Sequence, residues 1–323
     1  MNLLKEILIL VIGFVLLIIG ADYFVEGSSS VARRLKVPSL IIGMTIVAMG
    51  TSLPETSVSI AASMNNQNTL AVSNVVGSNI FNLMVVLGIC AVISKLQVSR
   101  DVLKRDYPFS VLCAILLLVC GCIGMELGRI DGIVFLVIFV GFIVVLIKSA
   151  MDARKRGEIS EKEREMNEEM SEMKEQPVWK SIIYIVGGAI AIKYGGDWVV
   201  DSASTIATSF GISATLVGLT ICSVGTSLPE LVTSIVAARK NELDMAVGNV
   251  VGSNVFNILM VLGVAATISP ITFLMENVID IIVLLVFSLI TWVFCMTKKE
   301  IGKKEGIIML VLYAIYLVYI CLR

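Results

Sequence analysis

Long apolar runs dominate the pattern of hydrophobic and polar positions along the chain. A helix needs about 20 mostly apolar residues to cross the hydrocarbon core of a bilayer. Runs of about this length lie at residues 5–26, 38–64, 70–94, 107–126, 130–150, 179–201, 213–238, 245–268, 277–297 and 304–322. The pattern therefore predicts an all-α integral membrane protein with ten transmembrane helices.

The second and seventh of these runs contain the same polar interruption. The stretch "GTSLPE" occupies residues 50–55 and recurs at 225–230. The similarity extends beyond this motif, because residues 41–94 align without gaps onto 216–269, with about half of the positions identical. The chain is therefore an internal duplication, with five predicted helices in each half.

The duplication and one charged segment define the expected organisation of the chain. The segment "DARKRGEISEKEREMNEEMSEMKEQP" is dense in acidic and basic residues, which is typical of a solvated linker. We expect a first five-helix repeat at 1–150, this linker at 151–177 and a second repeat at 178–323, with the duplicated motifs at 43–88 and 218–263.

The odd number of helices in each half predicts that the two repeats have inverted topology. Cytoplasmic loops of membrane proteins are enriched in Lys and Arg. Here these residues follow predicted helices one, three, seven and nine and fill the linker, whereas the alternate loops are nearly free of them. Both termini are therefore predicted outside the plasma membrane and the linker in the cytoplasm. Inverted repeats are common in secondary transporters, which bind their substrates near the midplane.

The proline of each motif predicts a break in helices 2 and 7. A proline inside a helix cannot donate a hydrogen bond to the carbonyl four residues earlier. Pro54 therefore frees the carbonyl of Gly50, and Pro229 frees that of Gly225. Freed carbonyls at membrane depth are tolerated where they line a polar cavity or find another partner. A metal cation is one such partner.

A glutamate follows each proline and so begins the second half of a broken helix. Backbone amides and the helix dipole favour an anion there. A carboxylate at mid-membrane still costs about 2.5–3.5 kcal/mol, which applies to both Glu55 and Glu230. The nearest candidate for a neutralising basic residue is Lys193, which has no counterpart in the first half. Mobile cations are therefore the simplest partners.

Oxygen-bearing side chains accompany both glutamates. Thr51 and Ser52 precede Glu55 by four and three residues, which places them on a similar face wherever the motif is helical. The next helix of each half has a polar stripe, formed by Asn74, Ser78 and Asn82 and by Asn249, Ser253 and Asn257. All-oxygen ligand sets suit hard cations such as calcium and sodium. Helix packing and ion binding are equally good interpretations of Asn74, Asn79, Asn249 and Asn254.

The composition narrows the range of functions. The chain is 57% hydrophobic with a net charge of −1, so nothing suggests a nucleic-acid partner. The absence of histidine removes the usual proton-shuttling side chain. No nucleophile, base and orienting group converge, so we expect neither an enzyme with catalytic residues nor a cofactor. The lipid bilayer is the one implied environment, and no obligate protein partner is expected.

The motifs and their downstream segments resemble a known family. "MGTSLPETSVSI" with "VVGSNIFN", and "VGTSLPELVTSI" with "VVGSNVFN", are similar to the two alpha repeats of the sodium/calcium exchanger family, within the cation/calcium antiporters, and most of all to its compact prokaryotic members. The resemblance implies that calcium binds to Glu55, Glu230 and the carbonyls of Thr51 and Thr226. It also implies sodium sites that use these glutamates with Ser52, Ser227, Ser78, Ser253, the carbonyls of Ala48 and Ser223, and Asn82 and Asn257 at the central site.

The same resemblance implies a mechanism. It predicts exchange of about three sodium ions for one calcium ion by alternating access, with sliding of the first and sixth helices over the core. Asn257, where potassium-dependent members have Asp, is typical of the potassium-independent branch. Two alternatives are a calcium/proton antiporter of the same superfamily, whose GNxxE-type pattern is absent here, and a potassium-dependent exchanger. A cation channel belongs to another class, and the inverted repeat argues against it.

Overall fold

The computed structural model describes residues 3–64, 69–156, 177–210 and 223–322. Within these ranges the helices are α1 (Leu3–Leu35), α2 (Ser39–Thr51), α3 (Leu53–Met64), α4 (69–93), α5 (Val102–Cys122), α6 (Arg129–Arg156), α7 (Val178–Ser209), α8 (Ser223–Thr226), α9 (Leu228–Arg239), α10 (Leu243–Ile268), α11 (Met275–Lys298) and α12 (Lys303–Leu322). Four two-residue strands, which were not predicted, are β1 (Leu96–Gln97), β2 (Glu126–Leu127), β3 (Ile271–Thr272) and β4 (Glu300–Ile301).

The lengths of these helices bear out the prediction of a helical multi-pass membrane protein. In the described ranges, eight helices are long and apolar enough to span a bilayer, and the bent pair α2–α3 makes a ninth candidate span. The predicted helix at 213–238 and the motif at 218–263 begin among residues 211–222, which lie outside the described part. The total of ten therefore stays a prediction. Helix α6 continues to Arg156, six residues into the segment expected to be the linker.

Helices α4 and α10 form the centre of the molecule. In each, 78% of the most apolar 18-residue window is buried, against 17–39% in the other single-helix spans. A helix in this central position meets protein on every side, so it can carry polar side chains that would be costly against lipid. Both helices contain the predicted polar stripes, and the fold thereby keeps those stripes away from the hydrocarbon.

Helices α1 and α7 pack against each other in antiparallel orientation through small residues seven positions apart. The contacts pair Gly13 with Gly195, Gly20 with Gly188 and Gly27 with Ser181. The paired numbers rise in one helix and fall in the other, which requires opposite directions. A Cβ atom on Gly188 would lie 2.7 Å from the Gly20 carbonyl oxygen. Small residues allow such close backbone approach between helices in membranes.

We expect Gly188→Leu to destabilise the protein by separating α1 from α7. The added side chain would overlap the backbone of α1, and overpacking of this kind costs about 1–3 kcal/mol. Thermal unfolding of the purified protein in detergent should therefore occur several degrees lower. Gly187→Leu is the matched control, because a Cβ atom on Gly187 has nothing within 4 Å. Equal melting temperatures for the two variants would contradict this packing.

The two halves of the chain are joined by further paired contacts. Strand β1 pairs with β4, and β2 pairs with β3, both antiparallel. Gly88 of α4 lies against Gly306 of α12, and Gly132 of α6 lies against Gly263 of α10. Every one of these contacts connects a residue of the first half with a residue of the second. The two halves therefore pack against each other over several helices and strands, and both contribute to the centre of the molecule.

Candidate ion-binding site

Both broken helices are interrupted at the serine of the duplicated motif. Helix α2 ends at Thr51 and α3 begins at Leu53, with a bend of 44° between them. Helix α8 ends at Thr226 and α9 begins at Leu228. In each case the break falls two residues before the proline, and the glutamate is the third residue of the helix that follows. The carboxylates therefore lie in the first turn of α3 and α9, where backbone amides favour an anion.

The two glutamates are fully buried, and the motif serine of the other half lies within hydrogen-bond distance of each one. Ser52 Oγ donates to Glu230 Oε1 at 2.9 Å, and Ser227 Oγ lies 3.3 Å from Glu55 Oε1. Ser78 Oγ also donates to Glu55 Oε1, at 3.1 Å. The expectation that each serine shares a face with its own glutamate is therefore incomplete. Each serine hydroxyl instead lies against the glutamate of the other motif.

Neither buried carboxylate is neutralised by a basic side chain in the described part of the chain, where no ion pair involves Glu55 or Glu230. Lys193 lies 2.9 Å from Asp197 in the next turn of α7 and is partly exposed. This basic residue, the nearest candidate in the sequence, is thus paired with another acid. Burial of an unpaired carboxylate is costly, so the glutamates require a different positive partner.

Four buried oxygen atoms of the motif glutamates and the two asparagines have no hydrogen-bond partner among the described residues: Glu55 Oε2, Glu230 Oε2, Asn82 Oδ1 and Asn257 Oδ1. Buried polar groups in folded proteins are nearly always partnered. All four atoms act as acceptors, since ionised carboxylate and amide carbonyl oxygens have no proton to donate. Asn257 lies close to the first carboxylate, because its Nδ2 is 3.3 Å from Ser78 Oγ. Oxygens of this kind are the ligands that hard cations prefer.

The motif threonines are held by asparagines of the other half. Thr51 Oγ1 donates to Asn249 Oδ1 at 3.1 Å, and Thr226 Oγ1 donates to Asn74 Oδ1 at 3.3 Å. The two asparagine amides in turn donate to Ser234 Oγ at 3.0 Å and to Ser59 Oγ at 3.4 Å. Sequence reasoning left these asparagines open and did not identify the two serines. Their signal was available, since both serines occupy corresponding positions of the duplication.

The remaining predicted residues differ in how they join the centre. Ser253 Oγ makes a long contact of 3.5 Å with Asn249 Oδ1 and, in the described part of the chain, forms no hydrogen bond with a glutamate. The Ala48 carbonyl accepts a hydrogen bond from the Ser52 amide at 3.1 Å. Ser223, whose carbonyl is a predicted ligand, is the first residue of α8. Its side chain lies outside the part of the chain that the structure describes. In the described part of the chain, hydrogen bonds thus connect Glu55 with Ser78, Ser227 and Asn257, and Glu230 with Ser52.

Asn82 and Asn257 each begin a π-helical turn. These turns span Asn82–Val86 in α4 and Asn257–Val261 in α10, and the backbone N–H after each turn donates to the asparagine carbonyl five residues earlier. Single π-helical turns are rare and are frequent at functional sites. The corresponding positions of the two halves therefore share an unusual backbone as well as an unpartnered side-chain oxygen.

These features define a class of protein: an integral membrane protein with broken helices that place two carboxylates among buried oxygen donors, as in cation transporters. A family model described as sodium/calcium exchanger protein matches residues 5–148 and 180–322. The chain belongs to this family, and it is a multi-pass membrane protein of the cation/calcium antiporter class.

Individual relatives match almost the whole chain. The inner membrane protein YrbG of Escherichia coli (strain K12) is 36% identical over 308 residues, covering 93% of this chain and 92% of that protein. The sodium/calcium exchanger MaX1 of Methanosarcina acetivorans is 32% identical over 339 residues, covering 96% and 97%. A solved structure of the sodium–calcium exchanger NCX_Mj, soaked with 2.5 mM Na+ and 0.1 mM Ca2+, has a TM-score of 0.83 at 32% identity, covering 97% and 98%.

Proposed function

We propose that the protein is a secondary active antiporter that exchanges sodium for calcium across the plasma membrane by alternating access. The observation that carries this proposal is a set of four buried acceptor oxygens, on two carboxylates and two amides, that have no partner within the described part of the chain. No basic residue in the described ranges is paired with either carboxylate, so cations are the partners that fit. The names of MaX1 and NCX_Mj, both sodium/calcium exchangers, support the choice of ions.

The charge of the site explains why the two ions compete. Two carboxylates carry a charge of −2, which one calcium ion or an equivalent load of sodium can balance. The proposed calcium ligands are Glu55, Glu230 and the carbonyls of Thr51 and Thr226, and the proposed sodium ligands add Ser52, Ser227, Ser78, Ser253, Asn82, Asn257 and the carbonyls of Ala48 and Ser223. Because the two sets share the glutamates, one ion must leave before the other enters. Exchange of more than two sodium ions per calcium makes the cycle electrogenic.

The proposed movement follows from an inverted relation between the halves. Corresponding helices α1 and α7 are antiparallel, and Asn79 and Asn254, which are 175 positions apart, each donate to the backbone carbonyl of the other. Both observations support two repeats of opposite orientation. The distribution of Lys and Arg among the loops supports termini outside and a linker in the cytoplasm. We propose that α1 and α7 slide together over the buried core of α4 and α10, which opens the site to one side at a time.

Asn257 supports potassium-independent exchange. A neutral amide at this position leaves the site with the charge of the two glutamates alone, whereas an additional carboxylate would attract a further cation. The calcium/proton alternative requires that the proton driving transport binds to a carboxylate of the same pair. Four acceptor oxygens grouped on both halves favour metal ions over a single proton, because a proton satisfies at most two of them.

Calcium-45 uptake into proteoliposomes under single imposed gradients tests the proposal. An outward sodium gradient should drive uptake, and an inside-positive potential should accelerate it, because net positive charge leaves the vesicle. Equal potassium on both sides, compared with potassium-free buffer, should make no difference. Uptake driven by a pH gradient but not by sodium would establish the calcium/proton alternative, and a requirement for potassium would establish the potassium-dependent one.

A further inference from the structure

Two asparagines next to the proposed ligands form hydrogen bonds that cross between the halves in both directions. Asn79 and Asn254 are buried, with 0% and 4% of their surface exposed. Asn79 Nδ2 donates to the Asn254 carbonyl at 3.1 Å, and Asn254 Nδ2 donates to the Asn79 carbonyl at 3.4 Å. A backbone carbonyl oxygen can only accept, so each of these contacts identifies the nitrogen of the side-chain amide. The orientation of both amides is thereby fixed by the backbone of the other half.

Each fixed amide in turn contacts a second asparagine side chain, which belongs to the other half of the chain. With its nitrogen on the backbone, Asn79 presents Oδ1 to Asn257 Nδ2 at 3.1 Å. In the same way, Asn254 presents Oδ1 to Asn82 Nδ2 at 3.4 Å. The –NH2 groups of Asn82 and Asn257 are therefore engaged by protein acceptors. Asn82 Nδ2 donates to Asn254 Oδ1, and Asn257 Nδ2 donates to Asn79 Oδ1 and to Ser78 Oγ. Their carbonyl oxygens, Oδ1 in both cases, are the ones left buried without a partner.

We propose that Asn79 and Asn254 are positioning residues that fix the amide orientation of Asn257 and Asn82, so that a carbonyl oxygen and not an –NH2 group faces the transported cation. This inference rests on the proposed function. The reversed orientation would bring amide protons toward the cation, which repels them, and would set Asn79 Oδ1 against Asn257 Oδ1. Each half thus controls the ligand that the other half contributes.

This role differs from simple helix packing. Asparagines also join membrane helices through hydrogen bonds of roughly 1 kcal/mol. A contribution of that kind would not depend on whether Asn257 or Asn82 has been substituted. The observed hydrogen bonds are selective: Asn79 contacts Asn257, whereas no hydrogen bond joins Asn79 to Asn82 in the described structure. Coupling between substitutions should follow these contacts. Residues in one hydrogen-bond network show non-additive effects, and independent ones add.

Double-mutant cycles on the full-length protein in detergent test the proposal. The measured quantity is the concentration of calcium chloride, or of sodium chloride, that gives half of the maximal thermal stabilisation. The prediction applies to each ion whose half-stabilising concentration is higher in Asn257→Ala than in the wild type. For that ion, Asn79→Ala alone should raise the half-stabilising concentration by about tenfold. In the Asn257→Ala background Asn79→Ala should add less than about twofold, because the group it orients is gone. In the Asn82→Ala background it should keep its full effect.

The reciprocal cycle uses Asn254→Ala. Its effect on the half-stabilising concentration should be non-additive with that of Asn82→Ala and additive with that of Asn257→Ala. If Asn79→Ala fails to fold, Asn79→Ser and this reciprocal cycle give the same comparison. Equal effects of Asn79→Ala in the Asn82→Ala and Asn257→Ala backgrounds would overturn the proposal, as would an Asn257→Ala variant with unchanged responses to both ions. A wild-type protein that neither ion stabilises would refute the proposed function itself, which separates that failure from the failure of this inference.

Discussion

Glu55→Gln and Glu230→Gln are each expected to abolish sodium-driven calcium uptake while leaving the protein folded. Glutamine keeps the shape of the side chain and an oxygen that accepts the serine hydrogen bonds. It removes one of the two charges and places an –NH2 group among the acceptor oxygens. The carboxylate is one partner of the proposed buried pair with the bound cation, and loss of such a partner costs about 3–5 kcal/mol. Uptake should therefore fall below roughly 1% of the wild-type rate.

The comparison needs an acid that is close to the core but outside the site. Glu26 of α1 lies 3.9 Å from Lys240 and is partly exposed, so its ion pair contributes about 0–1 kcal/mol. Glu26→Gln should therefore keep its uptake within about twofold of the wild type. Calcium-45 flux in vesicles, normalised to folded protein, measures all three variants. Sodium-driven flux in either of the buried-glutamate variants would count directly against the ligand assignment.

Much of the fold was predictable because a bilayer imposes a simple length requirement on apolar segments. The predicted helix at 245–268, for example, corresponds to α10 at Leu243–Ile268. Helix ends were less predictable: α1 continues to Leu35, nine residues past the predicted end at 26, since helical structure persists after the apolar run stops. The short strands could not be predicted, because each one pairs with a segment far away in the sequence.

The site shows where a duplicated motif is informative and where it is not. The repeat identified both glutamates and their oxygen-bearing neighbours, because few structural requirements place an ionisable group at membrane depth. It could not show that Ser52 contacts Glu230, since this depends on how the two interrupted helices face each other. Nor could it show that Asn79 and Asn254 both join the halves and orient their neighbours. The π-helical turns at Asn82 and Asn257 also have no clear signature in the sequence.

Ser78 and Ser253 occupy corresponding positions of the duplication, and the family resemblance gives them the same role, but the structure gives them different surroundings. Ser78 Oγ donates to Glu55 Oε1 at 3.1 Å and accepts from Ser227 Oγ at 2.8 Å and from Asn257 Nδ2 at 3.3 Å. Among the described residues, Ser253 Oγ has one hydrogen-bond contact, which is long, at 3.5 Å from Asn249 Oδ1. Ser78 is thus the point at which one carboxylate, one motif serine and one proposed amide ligand meet.

We therefore expect Ser78→Ala to impair transport far more than Ser253→Ala. A hydrogen bond to a charged group contributes about 1.5–3 kcal/mol, so Ser78→Ala should raise the calcium concentration for half-maximal uptake by roughly 10- to 100-fold. Ser253→Ala, as the matched control, should raise it by at most about threefold, since a contact of 3.5 Å is weak. Concentration series of calcium-45 uptake measure both values. Equal increases in the two variants would contradict a permanent difference between the two serines. That result would favour serines that exchange surroundings as the site opens to opposite sides of the membrane.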